Sequence, residues 1–341
     1  MARYLGIDSS TQSMTGLIID TESNTIVAEK SINFDEHFAD SYGVKNGVLD
    51  KGDGVVHSCP LMWVEALDRL CEMLREAGND LSQTSAVAGC GQQHGTVYLN
   101  DRASSMLQGL KAEHELTDQL SGIFSRETAP IWMDSSTGTQ CREIEEGVGG
   151  KDVLLELTGN TAFERFSGPQ IRKFYQDEPE AYANTAHIAL VSSFIAGVLA
   201  GRLVSVDAGD GSGTNVMDIK ERTWSPEAMN ATAPELARRL TPVTVSSSPV
   251  GPIHAYFVER YGFSPECQVL PFSGDNPCSL IGLGLVEPGL VALSLGTSDT
   301  LFACMAEPHV SSEGEGCVFA SPDDRHTMAL ICFMNGSLAR E

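Results

Sequence analysis

Hydrophobic and polar positions at the start of the chain form two apolar runs separated by small polar residues. The runs at residues 4–7 and 16–19 flank the sequence DSSTQ, which begins at Asp8. This pattern predicts a β-hairpin with a polar turn. A second hairpin is predicted from residues 86–90 and 96–99, which the sequence GQQHG joins. Both turns carry polar side chains that a plain hairpin does not need.

Helical periodicity is clearest over residues 61–77. Apolar residues recur there at Val64, Leu67, Leu70 and Leu74, and Gly78 follows. This spacing predicts an amphipathic helix that faces a core. Further helices are predicted at 140–146, after a strand at 130–133, and at 234–240. The long apolar run at 181–199 predicts one largely buried helix.

The chain changes character at a stretch rich in proline and serine, residues 241–252. Such composition is typical of a domain boundary, so we expect one domain at 1–250 and a second at 251–341. After it, QVLPFSGDNPCSL predicts a strand that ends at Gly274, followed by a helix that opens at Asn276 and Pro277. The sequence VALSLGTSDTLFACM predicts a hairpin whose polar turn resembles the first one. This repetition indicates a duplicated architecture.

Composition limits the classes of partner. The 341 residues are enough for two cores, and the formal net charge of −24 disfavours nucleic acid and acidic membrane surfaces. Nine cysteines without CxxC pairs argue against a zinc site and a disulfide framework. No signal-like or membrane-spanning segment is visible, so we expect a cytoplasmic protein. The oligomeric state stays open.

The two polar turns suggest phosphate binding. Backbone N–H groups and hydroxyls in such turns form donor nests, and a pair of turns is expected to hold a nucleotide's phosphates from two sides of a cleft. Asp8 is then the candidate ligand of Mg²⁺, directly or through water. The alternative, two ordinary hairpin turns, stays open. The P-loop, GxGxxG, HExxH and GxSxG signatures are all absent.

Five residues are candidate acids or bases, and each has a structural alternative. His94 is either a functional group or a satisfied turn residue, and Asp134 is expected to stabilise the next helix N-terminus. Asp207 and Asp210 lie among glycines, where aspartate commonly builds its own turn. Asp275 is the strongest candidate, because a carboxylate between a strand and a helix projects from the sheet edge that binds ligands in open α/β sheets. Its alternative is a helix N-cap.

Several motifs, taken together and in order, resemble one family. The segments LGIDSSTQS, GQQHG, WMDSST, LTGNTAFERFSG, DGSG, SGDNP and SLGTSDTLF resemble the FGGY carbohydrate kinases over the whole chain. The resemblance implies an α/β fold with duplicated actin-like, ribonuclease-H-like domains and a cleft between them. It also implies phosphorylation of a sugar by ATP with Mg²⁺, the sugar being D-xylulose in the branch that the chain most resembles.

The resemblance assigns roles to particular residues. It implies that Asp275 is the general base toward the sugar's primary hydroxyl, and that Asp8 serves the metal and phosphate end. Asn276, His94 and Arg165 are implied to hold the sugar together with Asp275. The residues implied to cradle phosphates lie in the two turns and are Ser9, Ser10, Thr11, Gly296, Thr297 and Ser298.

The resemblance also implies that relatives continue beyond residue 341 and that the segment receiving adenosine lies there. We therefore expect an incomplete second domain that exposes apolar residues around 328–333. Two alternatives to the phosphorylation of D-xylulose stay open. One is a non-catalytic, sugar-binding isoform, and the other is a kinase of this family that acts on a different sugar or polyol.

Overall fold

The computed structural model describes residues 3–295, 299–311 and 313–333. The strands are, in chain order, β1 Arg3–Ser9, β2 Ser13–Asp20, β3 Thr25–Asn33, β4 Leu49–Asp50, β5 Val56–Ser58, β6 Thr84–Gly91, β7 Thr96–Leu99, β8 Ala129–Pro130, β9 His187–Leu190, β10 Val206–Asp207, β11 Met217–Asp218, β12 Thr223–Trp224, β13 Val243–Thr244, β14 Gly251–Pro252, β15 Gln268–Val269, β16 Ser273–Gly274, β17 Val291–Leu295, β18 Asp299–Met305, β19 Cys317–Ala320 and β20 Thr327–Phe333.

The α-helices are, in chain order, α1 Phe34–Tyr42, α2 Pro60–Glu76, α3 Ala103–Gln108, α4 Leu116–Leu120, α5 Gly138–Val148, α6 Lys151–Thr158, α7 Ser167–Asp177, α8 Pro179–Ala183, α9 Val191–Ala200, α10 Ala208–Gly211, α11 Pro226–Thr232, α12 Leu236–Arg239, α13 Ala255–Tyr261 and α14 Asp275–Gly282. Short 3₁₀ turns occur at Leu81–Gln83 and Ser212–Thr214. Within the described ranges, no helix combines the length and apolar character that crossing a bilayer requires.

The largest sheet has the strand order β14-β15-β6-β1-β2-β3, and β16 also pairs with β6. Strands β1, β15 and β16 all run parallel to β6, whereas β1, β2 and β3 form an antiparallel meander. The predicted first hairpin is therefore confirmed as β1 and β2. Because β1, β6 and β16 are parallel, their carboxyl ends lie at one edge of the sheet.

Helix α2 packs one face into the core beside this sheet. Its residues Val64, Leu67, Leu70 and Leu74 are fully buried, which confirms the predicted amphipathic helix. Pro60 is at the first helical position, where its missing N–H costs nothing. Helices α9 and α13 contribute further side chains to the same cluster. The carboxyl edge of this sheet is therefore supported by a well-packed core.

The second predicted hairpin is wrong. Strand β7 pairs antiparallel with β9 and not with β6, so the GQQHG segment crosses from one sheet to another. The backbone turns at His94, which has φ +75°. The long helix predicted at 181–199 is also wrong, because β9 separates α8 from α9. Residues 187–190 form a strand because they pair with β7, which is remote in sequence.

A second, four-stranded antiparallel sheet has the order β17-β18-β20-β19. Its core includes Leu280 of α14 and Phe166, which comes from before the predicted boundary. Strands β14 to β16 belong to the first sheet, so that sheet extends past residue 250. The division of the chain at that residue stays a prediction. Apolar side chains are exposed on β17. In the range 328–333, Met328 and Leu330 of β20 are buried, contrary to our expectation, whereas Phe333 is exposed as expected.

Candidate active site

Three parallel strands bring the predicted acidic groups to one edge of the first sheet. Asp8 near the end of β1 is in register with Cys90 of β6, and Ser273 of β16 pairs with the same residue. Asp275 follows β16 and is the first residue of α14. Since neighbouring strands lie about 5 Å apart, the backbones of β1 and β16 are separated by roughly 10 Å at this edge.

The Asp275 carboxylate is held through one of its two oxygens. Its Oδ1 accepts hydrogen bonds from the backbone N–H groups of Gln93 at 3.3 Å and Asn276 at 2.8 Å, and from the Asn276 side chain at 3.1 Å. The hydrogen bonds from these two neighbouring residues therefore all go to Oδ1 and leave Oδ2 for other partners. Burial, with a contribution from the charge of Asp8, raises the pKa of Asp275 to about 6. This carboxylate is suited to accept a proton near neutral pH.

His94 presents a hydrogen-bond acceptor to the site. Its Nδ1 lies 2.7 Å from the carbonyl oxygen of Gly213, and its ring stacks on Phe166 with a centroid distance of 4.4 Å. Burial, with a contribution from Arg165, lowers the pKa of His94 to about 3. Because a carbonyl oxygen only accepts, the neutral ring carries its hydrogen on Nδ1, and Nε2 remains an acceptor.

The Arg165 guanidinium has unused hydrogen-bonding capacity. Its Nε is buried and has no partner, and the group stacks over the Phe163 ring at 4.7 Å. No ion pair joins it to a carboxylate among residues 3–295, 299–311 and 313–333. Buried donors are normally satisfied, so the unpartnered Nε of an arginine beside a cavity indicates a ligand position.

A cavity of about 210 Å³ joins these side chains. The loop after β6, the loop after β8, the segment before α7 and the start of α14 supply one wall, and β18 and β20 of the second sheet supply the other. Its lining residues are Gln93, His94, Trp132, Arg165, Asp275, Asn276, Thr300, Leu330 and Cys332. The structure thus brings together all four predicted sugar ligands, while Asp8 lies beside the cavity at the same sheet edge and does not line it.

The turn after Asp8 is polar, and two of its three hydroxyls have partners. Ser10 donates to Asp8 Oδ2 at 2.5 Å, and Thr11 accepts from the indole N–H of Trp132 at 2.8 Å. The buried hydroxyl of Ser9 has no partner. The other predicted phosphate turn, comprising Gly296, Thr297 and Ser298, lies outside the described residues.

The remaining acidic candidates are structural. Asp134 accepts from Ser136, Gln170 and the backbone of Val56, which fixes the loop that carries Trp132. Asp207 is the N-cap of α10 and also accepts from the hydroxyls of Ser246 and Ser273. Asp210 accepts from Ser192.

Five cavity residues were missed in the sequence analysis, and three of them, Gln93, Trp132 and Thr300, lie in motifs that it singled out. Gln93 donates its backbone N–H to Asp275 and accepts from the Asn276 side chain at 3.2 Å. Trp132 is 42% exposed beside the cavity. A large exposed aromatic within a polar motif is a usable signal. The contribution of β18 and β20 depends on how the two sheets meet, which local patterns do not encode.

Comparison with known proteins shows similarity to one family. Residues 127–282 match the N-terminal domain of the FGGY family of carbohydrate kinases. The chain is 47% identical over 339 residues to a xylulose kinase of Rattus norvegicus, covering 99% of this chain and 62% of that protein. It is 44% identical over 341 residues to xylulose kinase 2 of Arabidopsis thaliana, covering 99% of this chain and 60% of that protein. The chain therefore spans about 60% of the length of these relatives.

A solved structure shares the fold. The xylulose kinase from Rhodospirillum rubrum superposes with a TM-score of 0.82 at 17% identity, covering 99% of this chain and 62% of that chain. At this identity, the likeness shows the fold alone, and it confirms the predicted α/β, actin-like fold class. The domain match at residues 127–282 and the similarity along 99% of the sequence show that the chain is similar to the FGGY family of carbohydrate kinases.

Proposed function

We propose that this chain phosphorylates D-xylulose with ATP to give D-xylulose 5-phosphate and ADP. The observation that carries the proposal is the Asp275 carboxylate, which has a raised pKa and lines a cavity together with Arg165 and His94. The xylulose kinases that match the chain over 99% of its length support the choice of sugar.

Asp275 is the proposed general base. Its Oδ2 accepts the proton of the sugar's primary hydroxyl while that oxygen attacks the γ-phosphorus of ATP. Three hydrogen bonds to Oδ1 fix the orientation of the carboxylate. A positioned base of this kind contributes roughly two to four orders of magnitude to the rate.

The other cavity residues are proposed to orient the sugar. Arg165 donates to a sugar oxygen, and Nε2 of His94 accepts from a sugar hydroxyl. Asn276 and Asp275 complete the polar wall of the cavity. Ketoses carry both donors and acceptors along one carbon chain, so a set of fixed donors and acceptors recognises them well.

The residues around Asp8 fit the binding of Mg²⁺ with ATP. Mg²⁺ is usually held by one or two carboxylates together with waters and substrate phosphates, and Asp8 supplies one carboxylate at the sheet edge. No cluster of three or more metal-binding side chains occurs among the described residues, which fits this sparse mode. Bound Mg²⁺ neutralises charge on the transferring phosphoryl group. Ser9, Ser10 and Thr11 are proposed to face the phosphates, together with Gly296, Thr297 and Ser298.

We also propose that the protein works in the cytoplasm on small molecules, with no nucleic acid or membrane as partner. All nine cysteines are free thiols, as is usual in a reducing compartment. The net charge of −24 supports the absence of polyanionic partners.

A coupled assay of ADP release tests the function. We expect ADP release to depend on D-xylulose and to exceed the rate with D-ribulose, gluconate or glycerol by about tenfold or more. Highest release with another of these compounds would instead indicate a different substrate in the family. Binding of D-xylulose by calorimetry without ADP release would indicate a sugar-binding protein and contradict the proposed catalysis.

Arg165→Ala tests the proposed contacts with the sugar. Loss of a charged hydrogen bond is expected to raise KM for D-xylulose by about tenfold or more. Arg238→Ala is the matched control, because the Arg238 side chain is 80% exposed on α12 and pairs with Glu235, the residue before that helix. An unchanged KM in Arg165→Ala would remove Arg165 from the sugar site.

A further inference from the structure

Two cysteines lie at the sheet edge between the two acidic residues of the site. Cys90 is near the end of β6, in register with Asp8 on one side and with Ser273 on the other. Cys278 is the fourth residue of α14, one turn after Asp275. The two thiols are therefore placed by the same elements that place the proposed base and the proposed metal ligand.

The side chains of these cysteines meet across β6 and α14. The Cys90 thiol donates to Asp8 Oδ1 at 3.3 Å, and the Cys278 thiol donates to the carbonyl oxygen of Gly89, the preceding residue of β6, at 3.7 Å. Gly89 is the chain neighbour of Cys90, and the Cys278 thiol interacts with the Cys90 thiol. Both residues are partly exposed, so a small oxidant in solution reaches them.

We propose that Cys90 and Cys278 form a reversible disulfide that reduces activity of the site. With hydrogen peroxide as the oxidant, one sulfur attacks a peroxide oxygen, the O–O bond breaks, and a sulfenic acid and water form. The second sulfur then attacks the first, the S–O bond breaks, and a second water leaves. The two thiols lose two electrons and two protons in total, and one peroxide becomes two waters.

The disulfide changes both ends of the site. Cys90 loses the S–H that now donates to Asp8. A covalent bond ties the first turn of α14 to β6 and shifts Asp275, whose Oδ1 is aligned by Gln93 and Asn276. A displacement of about 1 Å in a reacting group costs up to roughly 100-fold in rate. This consequence for activity rests on the proposed function, whereas formation of the disulfide does not.

Peptide mapping after oxidation tests the disulfide independently of activity. The full chain is treated with hydrogen peroxide, unreacted thiols are alkylated, and the digest is analysed by mass spectrometry. We expect a linked peptide that contains residues 90 and 278, about 2 Da lighter than the sum of its two thiol peptides, and its disappearance after dithiothreitol. Cys278→Ala and Cys90→Ala are expected to lack it. Cys59→Ala is the matched control, because Cys59 is also partly exposed but precedes α2, and it keeps the link.

The outcomes separate the disulfide from the enzymatic role. Both thiols fully alkylated after oxidation of the folded protein would overturn the proposal. If the link forms, D-xylulose-dependent ADP release is expected to fall about tenfold or more and to recover with dithiothreitol. Unchanged release in the linked protein would overturn the effect on activity. The Cys278→Ala variant is expected to keep its rate of D-xylulose-dependent ADP release in hydrogen peroxide. An equal loss of this rate in the variant and in the unmodified chain would also overturn the effect of the disulfide on activity.

Discussion

At the scale of single residues, the chemistry of the site comes from the neighbours of Asp275. The sequence motif SGDNP identified this residue, but its state depends on partners that are remote in sequence. Gln93, which donates to Asp275, is 182 positions away, and the charge of Asp8 acts from another strand. The sequence pattern therefore indicated that an aspartate follows a strand at position 275. Its raised pKa could not be predicted without the fold.

The raised pKa predicts a pH dependence. The base works only when ionised, so kcat/KM for D-xylulose is expected to rise with pH through a midpoint of about 6 and then level off. Asp8→Asn removes the nearby negative charge and is expected to move the midpoint to lower pH. A pH profile of both proteins measures this. A midpoint near the ordinary aspartate value of about 3.9 in the unmodified chain would contradict the assignment.

Asp210 predicts a pH effect on stability. Burial raises the pKa of this carboxyl well above its usual value, and its Oδ1 has no hydrogen-bond partner. The folded state therefore favours the protonated form, and stability from this group is present at low pH and lost as pH rises from about 4 toward the raised pKa. Asp210→Asn keeps an acceptor for Ser192 and removes this loss.

We expect the Tm of Asp210→Asn, relative to the Tm of the unmodified chain, to increase as pH rises from 5 to 8. Thermal unfolding followed by circular dichroism at each pH gives the comparison. Asp40→Asn, a change at an exposed position of α1, is the control and is expected to show no such trend. A constant difference in Tm between Asp210→Asn and the unmodified chain would contradict the buried, protonated state.

At the scale of elements, local periodicity predicted α2 and the β1-β2 hairpin well and failed at β7 and β9. Helix α2 has a repeating apolar face, and the two strands of the hairpin flank a short polar turn, so both signals are local. Short apolar runs fit a strand or a buried helix equally. The pairing of β7 with β9 joins segments about 90 residues apart, and no local pattern encodes it.

The close packing of β1, β6 and β16 predicts that Gly89 tolerates no side chain. A Cβ at this position lies 2.1 Å from the carbonyl oxygen of Ile7 and 2.6 Å from the Phe272 ring. Gly89→Ala is expected to lower the free energy of unfolding by about 1 to 3 kcal/mol. Gly282→Ala is the control, because the added Cβ meets nothing within 4 Å. Urea unfolding measures both, and equal midpoints would contradict the packing.

At the scale of the whole molecule, the site needs both sheets. The sequence signals for this were the two similar polar turns and the resemblance to the family. Thr300 and Leu330 reach the cavity from the second sheet, and Phe166 packs into its core from the first part of the chain. Among the described strands, β17 has a partner on one side only, so the same sheet has an open edge there. On β17, Leu293 is 62% and Leu295 is 64% exposed, and the strand has no charged residue.

This uncharged edge predicts self-association of the chain. Unpaired strand edges with exposed apolar residues favour pairing between molecules. Leu293→Lys is expected to increase the monomer fraction in sedimentation velocity at micromolar concentration. Ile26→Lys is the matched control, because Ile26 is 61% exposed on the edge strand β3, which already carries Glu29 and Lys30. Equal effects of the two changes would contradict a specific role for the β17 edge.

The most direct test of the account follows labelled phosphate from the γ position of ATP to D-xylulose in the unmodified chain and in Asp275→Asn. The amide keeps the size of the side chain but is a much weaker base. We expect labelled D-xylulose 5-phosphate from the unmodified chain and a rate about 100-fold to 10,000-fold lower in the variant. Calorimetric binding of D-xylulose by the variant shows that its site is intact. Equal rates of transfer in the two proteins would contradict the assignment of Asp275 as the base.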